Sequence, residues 1–209
     1  KVDLIINTPA GKATKADETK IRSLAVMRGI PCVTTIPGAQ ALVTGIASAQ
    51  MDSIPIVAIT GQVPRAAIGR DSFQETDVTG ITLPITKHNY LILKAADIAP
   101  AIKEAFHIAR TGRPGPVLVD IPKDVLLDER AEFVWPERVN LPWYNPPQEA
   151  SREQVALAAR LINQAERPVI LAGHGILISH AYEELRQLAE KAQIPVITTL
   201  LGISSFPTD

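Results

Sequence analysis

The sequence predicts an α/β chain: a parallel sheet flanked by helices, followed by a second and shorter α/β unit. Three observations carry this. Short apolar runs recur at residues 2–7, 54–60 and 116–121 with little polar alternation, as in strands covered on both faces. Stretches of helical length separate them, which is the spacing of βαβ units. Between residues 122 and 150 the rhythm gives way to charges and prolines (Pro136, Pro142, Pro146, Pro147), then resumes.

Each element has its own signal. Residues 2–7 are the first strand, and 17–28 a helix with Ile21, Leu24, Ala25 and Arg28 along one side and Gly29 as its stop. Residues 31–35 are the next strand, 38–51 a small-residue helix able to lie close on a sheet, and 54–60 a third buried strand. Residues 61–83 make a long loop punctuated by glycine and proline, the kind of segment that tends to carry function. Residues 86–93 read as a less buried strand. Asp97 is placed to cap a helix whose Ile98, Ile102, Ala105, Phe106 and Ala109 share one face, and Gly112 ends it. Residues 116–121 read as another apolar strand.

Past the proline-rich stretch, Ser151 and Gln154 predict a capping box for a helix using Val155, Ala158, Ala159 and Ile162. Residues 169–172 are a strand, Gly173-His174-Gly175 a tight turn, 181–192 a helix and 195–199 a strand. Two strands in the 59 residues from 151 to 209 are too few for an independent α/β domain. The expected organisation is a first domain over 1–122, a linker over 123–150 and a truncated second domain over 151–209.

Composition removes several function classes. The 209 residues are 46% hydrophobic, which is globular, and the net charge of −1 gives no electrostatic case for nucleic acid or an anionic membrane. No apolar run approaches the roughly 20 residues of a membrane-spanning helix. The start, with Lys1 and Asp3 around a short apolar run and no methionine, lacks signal-peptide anatomy. The single cysteine, Cys32, has no internal disulfide partner and fits a small buried side chain in a reducing, cytoplasmic setting. His88, His107, His174 and His180 show no metal-ligand spacing.

One glycine motif is a candidate for ligand contact. Gly173-His174-Gly175 follows a buried strand and precedes a helix, the geometry in which backbone meets a phosphate or dinucleotide. Turns after strands often carry glycine, so the motif by itself is weak.

The strings LVTGIASAQMDSIPIVAITGQVP, FQETDVTGITLPITKHNY and EAFHIARTGRPGPVLVDIPKDV are followed, past the prolines, by RPVILAGHGILIS and IPVITTLLGISSFPTD. Over residues 37–209 this series resembles the acetolactate synthase large-subunit family, thiamine-diphosphate enzymes of branched-chain amino-acid synthesis. It matches the second half of the family's pyrimidine-binding domain, a flavodoxin-like parallel sheet, and the opening of its central domain. Residues 1–35, KVDLIINTPAGK and then ETKIRSLAVMRGIPCVTT, resemble instead the methylglyoxal-synthase-like regulatory domain of the carbamoyl-phosphate synthase large subunit. The chain therefore reads as a chimera, with a strand–helix–strand of one family in place of its equivalent in the other and a seam at Ile36.

The resemblance implies partial sites. Pro37 and Gly38 stand where the family flanks the thiamine pyrimidine, although Ile36 replaces a glycine there. Pro64, Phe73 and Gln74 would line the approach to the thiazolium, with Ser72 beside them, and Gln74 would also touch the cofactor. Lys123 would guide the carboxylate of a ketoacid inward. Read without the family, Phe73 is equally a core side chain and Lys123 a solvated one. Arg113, Gly173, His174, Gly175 and Thr199 correspond to positions against a structural flavin adenine dinucleotide, with Thr198 and Leu200 alongside. From the regulatory side, Thr8 and Lys12 would belong to an effector site.

Thiamine chemistry needs a glutamate that protonates the pyrimidine ring so that the cofactor's own amino group can act as base. The family places it at the end of an early strand, where this chain has Thr8 or Pro9, and Asp17 lies too far on. No G-D-G…N segment is present to hold magnesium and diphosphate. The expectation is a partial acetolactate synthase large subunit that condenses no pyruvate alone, names no catalytic residue and self-associates. The alternatives are an effector-binding module of carbamoyl-phosphate synthase type and a ligand-free chimeric scaffold.

Overall fold

The computed structural model describes residues 5–6, 32–33, 36–127 and 130–207, with side chains described from residue 42 onward. The chain divides into two compact units, Lys1–Pro146 and Pro147–Asp209.

In the first unit, β1 (Ile5–Ile6) and β2 (Cys32–Val33) pair in parallel with Ile5 opposite Cys32. Helix α1 (Ile36–Asp52) leads to β3 (Val57–Gln62). The long loop follows, with a 3-10 turn at Arg65–Ala67, then α2 (Val78–Thr82) and β4 (His88–Leu91). Helix α3 (Ile98–Arg110), β5 (Val117–Pro122) and α4 (Lys123–Leu127) complete the series. Strand β5 lies between β3 and β4, parallel to both, with Gln62 opposite Pro122 and Leu91 opposite Asp120. Strand β1 comes beside β3, but ladder hydrogen bonds join it to β2 alone among the described strands. The α/β class with parallel sheets flanked by helices is the one the sequence predicts. The helix expected over 17–28 lies outside the described residues.

The core forms where the apolar pattern demands it. Every residue of β5 is buried, and alternate residues serve opposite faces. Val117, Val119 and Ile121 cluster with Ala101, Ala105, Ile108 and Ala109, while Leu118 joins Ile46 and Ala58. Alanine at three positions of α3 lets that helix lie close to the sheet. Its end is set by Gly112, whose φ of +58° favours glycine and where a Cβ would come within 3.1 Å of Pro146 Cβ.

That contact exposes a correction. The stretch expected as a linker over 123–150 starts as α4 and then packs on the first unit, Leu141 and Tyr144 lying against the core. Lys103 Nζ donates to the carbonyls of Pro136 and Glu137 and sits 5.6 Å from the Trp135 ring. Lys87 Nζ donates to Thr111 O (2.8 Å), to Tyr144 Oη (3.0 Å) and to Ile108 O. Two lysines thus hold down a strap made of carbonyls and aromatic rings. Two expected caps also differ: neither Asp97 nor Ser151 makes a side-chain cap hydrogen bond, so the capping box at Ser151 and Gln154 is not formed.

The second unit contains α5 (Arg152–Gln164), β6 (Ile170–Ala172), α6 (His174–Ser179), α7 (Tyr182–Ala192) and β7 (Val196–Thr198), then a 3-10 turn at Leu200–Ser205. Strands β6 and β7 are parallel, with Ala172 opposite Thr198. Gly173 is the N-cap of α6, so the glycine motif opens a short helix and is not the tight turn expected. Leu185 and Ala189 of α7 are buried, but the facing pair Leu171 and Ile197 is 69% and 58% exposed. Helix α5 buries none of its residues fully. One face of this two-stranded sheet is largely covered and the other, with Leu171 and Ile197, is bare.

Candidate functional site

Parallel strands send all their carboxyl ends to one edge, and in such sheets ligands bind in the crevice beyond that edge. In the first unit the loops after β3, β4 and β5 meet there. Arg65 locks them together: its backbone N–H and Nε donate to Asp124 (3.0 and 2.7 Å), and Nη1 donates to Leu93 O (2.8 Å). The Arg65 hydrogen bonds hold the Asp124 carboxyl below its ordinary range. Pro64 and Lys123 flank this pair, each beyond the register pair of Gln62 and Pro122, so the structure brings them to one edge. Lys123 is exposed at the first position of α4.

The loop between β3 and α2 is folded around its own glutamate. Glu75 accepts from the backbone N–H of Gly69, Arg70 (3.3 Å) and Ser72 (2.9 Å), and from Ser72 Oγ (3.2 Å). Those bonds, Ser72 and Gly69 foremost, pull its carboxyl below the ordinary value. The turn takes Asp71 and Gln74 to φ of 51° and 64°, left-handed values for non-glycine residues. Phe73 is thereby turned outward and is 88% exposed, which excludes the core-packing alternative.

Beneath the loop lies a group that the sequence reading passed over as part of an apolar strand. Asp120 is 0% exposed. Its Oδ1 accepts from Thr60 Oγ1 (2.7 Å) and its Oδ2 from Gln62 Nε2 (3.1 Å). Burial pushes its carboxyl above the ordinary range, against the opposing effect of those two bonds, and the charge of Asp77 adds to the rise. Gln62 Nε2 also donates to Thr76 O (2.7 Å), and its Oε1 accepts from Val63 N (2.8 Å). The signal available in the sequence was a lone carboxylate inside VLVDIP.

Other expected site residues fall elsewhere. Pro37 and Gly38 lie in the first turn of α1, which starts two residues before the helix predicted, so they are helical and not a turn. Arg113 sits at the amino edge of the strands, donating to Ser53 Oγ (2.7 Å) and to Met51 O (2.9 Å) at the far end of α1. The thirteen-residue rise from Gly38 to Met51 separates the two edges by roughly 20 Å. In the second unit, Gly173, His174, Gly175, Thr198, Thr199 and Leu200 gather at the carboxyl ends of β6 and β7, where Thr199 N donates to Ala172 O (2.9 Å). Gly202 packs behind them so closely that a Cβ would lie 2.5 Å from Ala172 O. A Cβ at Gly175 would meet nothing within 4 Å, which leaves that backbone open to a ligand.

These groups suit some cofactor contacts and not others. The open backbone at Gly175 and the Thr199 hydroxyl fit the flank of a dinucleotide. For thiamine diphosphate the described first unit offers backbone, Gln74 and Phe73, but the buried and near-edge carboxylates are engaged: Asp120 by Thr60 and Gln62, Asp124 by Arg65, Glu75 by its own loop. Thr8, Pro9 and Lys12 lie outside the described residues. Among the described residues no cluster of three or more His, Cys, Asp or Glu is arranged to hold a metal, and no helix is long and apolar enough to cross a membrane.

Comparison with known proteins gives the class first. Residues 22–81 match the family model for the N-terminal TPP binding domain of thiamine pyrophosphate enzymes, and residues 155–209 match the model for their central domain. The order of matches follows the order of the two units. The chain is also similar in sequence to acetolactate synthase large subunits. It is 54% identical over 179 residues to an acetolactate synthase of Mycobacterium bovis, 86% of this chain and 29% of the relative. It is 51% identical over 179 residues to the acetolactate synthase large subunit of Corynebacterium glutamicum, 86% of this chain and 28% of the relative. A probable acetolactate synthase large subunit of Methanocaldococcus jannaschii is 52% identical over 181 residues, 85% of this chain and 31% of the relative. The chain thus spans about 30% of the length of these relatives.

The thiamine pyrophosphate match begins at residue 22, well before the supposed seam at Ile36, and takes in residues 22–35. The carbamoyl-phosphate synthase resemblance and the chimera built on it find no support.

Proposed function

We propose that this chain is part of an acetolactate synthase large subunit, whose complete form condenses two pyruvates to 2-acetolactate with release of carbon dioxide. The observation that carries the proposal is the identity of 54% over 86% of the chain. Thiamine diphosphate is the proposed cofactor, with flavin adenine dinucleotide along the Gly173–Thr199 edge and magnesium held by groups other than those described. In this reading Lys123 attracts the ketoacid carboxylate, Phe73 walls the approach and Gln74 supplies a hydrogen bond, with Pro64 and Ser72 beside them. The meeting of Pro64, Lys123 and the Glu75-centred loop at one sheet edge supports those roles. Pro37 and Gly38 would pass close to the pyrimidine. Arg113 would contact flavin through guanidinium N–H groups other than those given to Met51 O and Ser53 Oγ.

The proposal includes a cytoplasmic location and self-association through the uncovered Leu171 and Ile197 face. Isothermal titration with thiamine diphosphate, flavin adenine dinucleotide and uridine monophosphate tests it. Binding of either of the first two supports the assignment, and binding of uridine monophosphate alone overturns it. With the described carboxylates engaged, this chain supplied with pyruvate, thiamine diphosphate and magnesium is expected to form no acetolactate above the cofactor-only background. A monomer mass by light scattering, with slow amide exchange in β6 and β7, would overturn self-association.

A further inference from the structure

We propose that Asp120 is a positioning residue that acts through Gln62 to latch the segment 63–76 over the carboxyl edge of the sheet. Strand β5 holds one carboxylate, Asp120, among its six buried residues. A charge in such a place is expensive unless its oxygens are satisfied, and both are. Thr60 occupies Oδ1 from the neighbouring strand, in register opposite Asp120. Gln62, two residues further along β3 on the same face, occupies Oδ2.

Gln62 then uses every part of its amide. The two hydrogens of Nε2 go to Asp120 Oδ2 and Thr76 O, and Oε1 receives the N–H of Val63. Val63 is the first residue of the loop and Thr76 lies near its exit, so one side chain ties both ends to the sheet. The amide cannot be reversed, because its oxygen would then face two acceptors and its nitrogen a donor. Asp120 thus fixes which way Gln62 points, and Gln62 fixes where the loop closes. Between those ends lie Pro64, Ser72, Phe73 and Gln74. Glu75 shapes the crest from within, through Gly69, Arg70 and Ser72, but its recorded bonds stay inside the loop.

The proposal rests on the assigned function only for calling this segment a substrate approach; the latch itself is read without substrate. The experiment is amide hydrogen exchange of this chain, comparing residues 66–76 with the core of β5 and α3. In Gln62→Leu the loop loses both end ties and Asp120 Oδ2 loses its donor, so exchange of the loop is expected to rise about tenfold or more beyond any rise in β5 and α3. Asp120→Asn keeps the latch, since its carboxamide oxygen faces Gln62 and its NH2 can donate to the Thr60 hydroxyl. Gln62→Glu sets three acceptors against each other and is expected to open the loop near neutral pH and reclose it in acid. A purely packing role moves loop and core together and shows no such acid reversal. Loop exchange unchanged in Gln62→Leu, or core exchange rising equally, overturns the latch. Binding of uridine monophosphate alone, with neither thiamine diphosphate nor flavin adenine dinucleotide bound, would overturn the functional assignment and leave the latch standing.

Discussion

Replacing Lys87 by methionine asks whether the strap over residues 130–146 is anchored or merely adjacent. Methionine keeps most of the apolar stem and deletes the ammonium. That ammonium stands at the C-terminal end of α3, where the last carbonyls lack intrahelical partners. It donates to Ile108 O, to Thr111 O at 2.8 Å and to Tyr144 Oη at 3.0 Å, with the Tyr144 ring centre 5.3 Å away. Thr111 O retains the Tyr144 hydroxyl at 2.8 Å after the change, but Ile108 O keeps it only at 3.4 Å. A hydrogen bond to a charged group contributes about 1.5–3 kcal/mol, and a cation at a helix C-terminus about 0.3–1 kcal/mol more. Lys87 is only partly buried, so solvent screening pulls the total to about 2–3 kcal/mol. For a chain of this size that lowers the melting temperature by about 5–10 °C. Tyr144→Phe leaves the carbonyls with Lys87 and is expected to lose about 1 kcal/mol. Scanning calorimetry checks both, with urea unfolding as a second probe, and the double variant gives the coupling between them. A Lys87→Met transition within about 1 °C of the parent would refute the reasoning, because the carbonyls would then be satisfied by water without the lysine.

The other predictions test single contacts. Gly112→Ala must hold an L-residue at φ +58° with its Cβ 3.1 Å from Pro146, and is expected to cost about 1–2 kcal/mol in urea unfolding. Gly202→Ala drives a Cβ to 2.5 Å from the Ala172 carbonyl, so limited proteolysis should cut faster within residues 147–209 while the first unit keeps its stability. Burial among Tyr90 and Trp143, with ring centres at 4.6 and 4.8 Å, lowers the pKa of His88, and the smaller influence of Glu104 raises it. The folded state then binds fewer protons than the unfolded one, so stability is present above the ordinary histidine pKa and is lost as pH falls through the folded value. The urea midpoint of the first unit should drop between about pH 7 and about pH 5, and His88→Gln should flatten that slope.

Local pattern made much of this molecule legible from the chain. The apolar run of β5, the alanine face of α3, the stop at Gly112 and the strand–glycine–helix order at Gly173 are consequences of period and backbone geometry, which neighbouring residues encode. The long strings carried the family in the same way. Tertiary structure decided what depends on partners far apart in sequence. Asp120 was read as part of an apolar strand, and its role appears only when β3 places Thr60 opposite it and Gln62 two residues further along, 60 and 58 residues away in sequence. The strap read as free linker because prolines dominate its local signal; its aromatic residues Trp135, Trp143 and Tyr144 became informative once Lys87, His88 and Lys103 were seen beneath them. Arg113 and Gly38 read as parts of cofactor sites, and the fold sets them at opposite ends of α1, Gly38 in its first turn and Arg113 bonded to Met51 O and Ser53 Oγ. Periodicity reports which face of an element turns inward, whereas the identity of the group waiting on that face is set by how the elements dock.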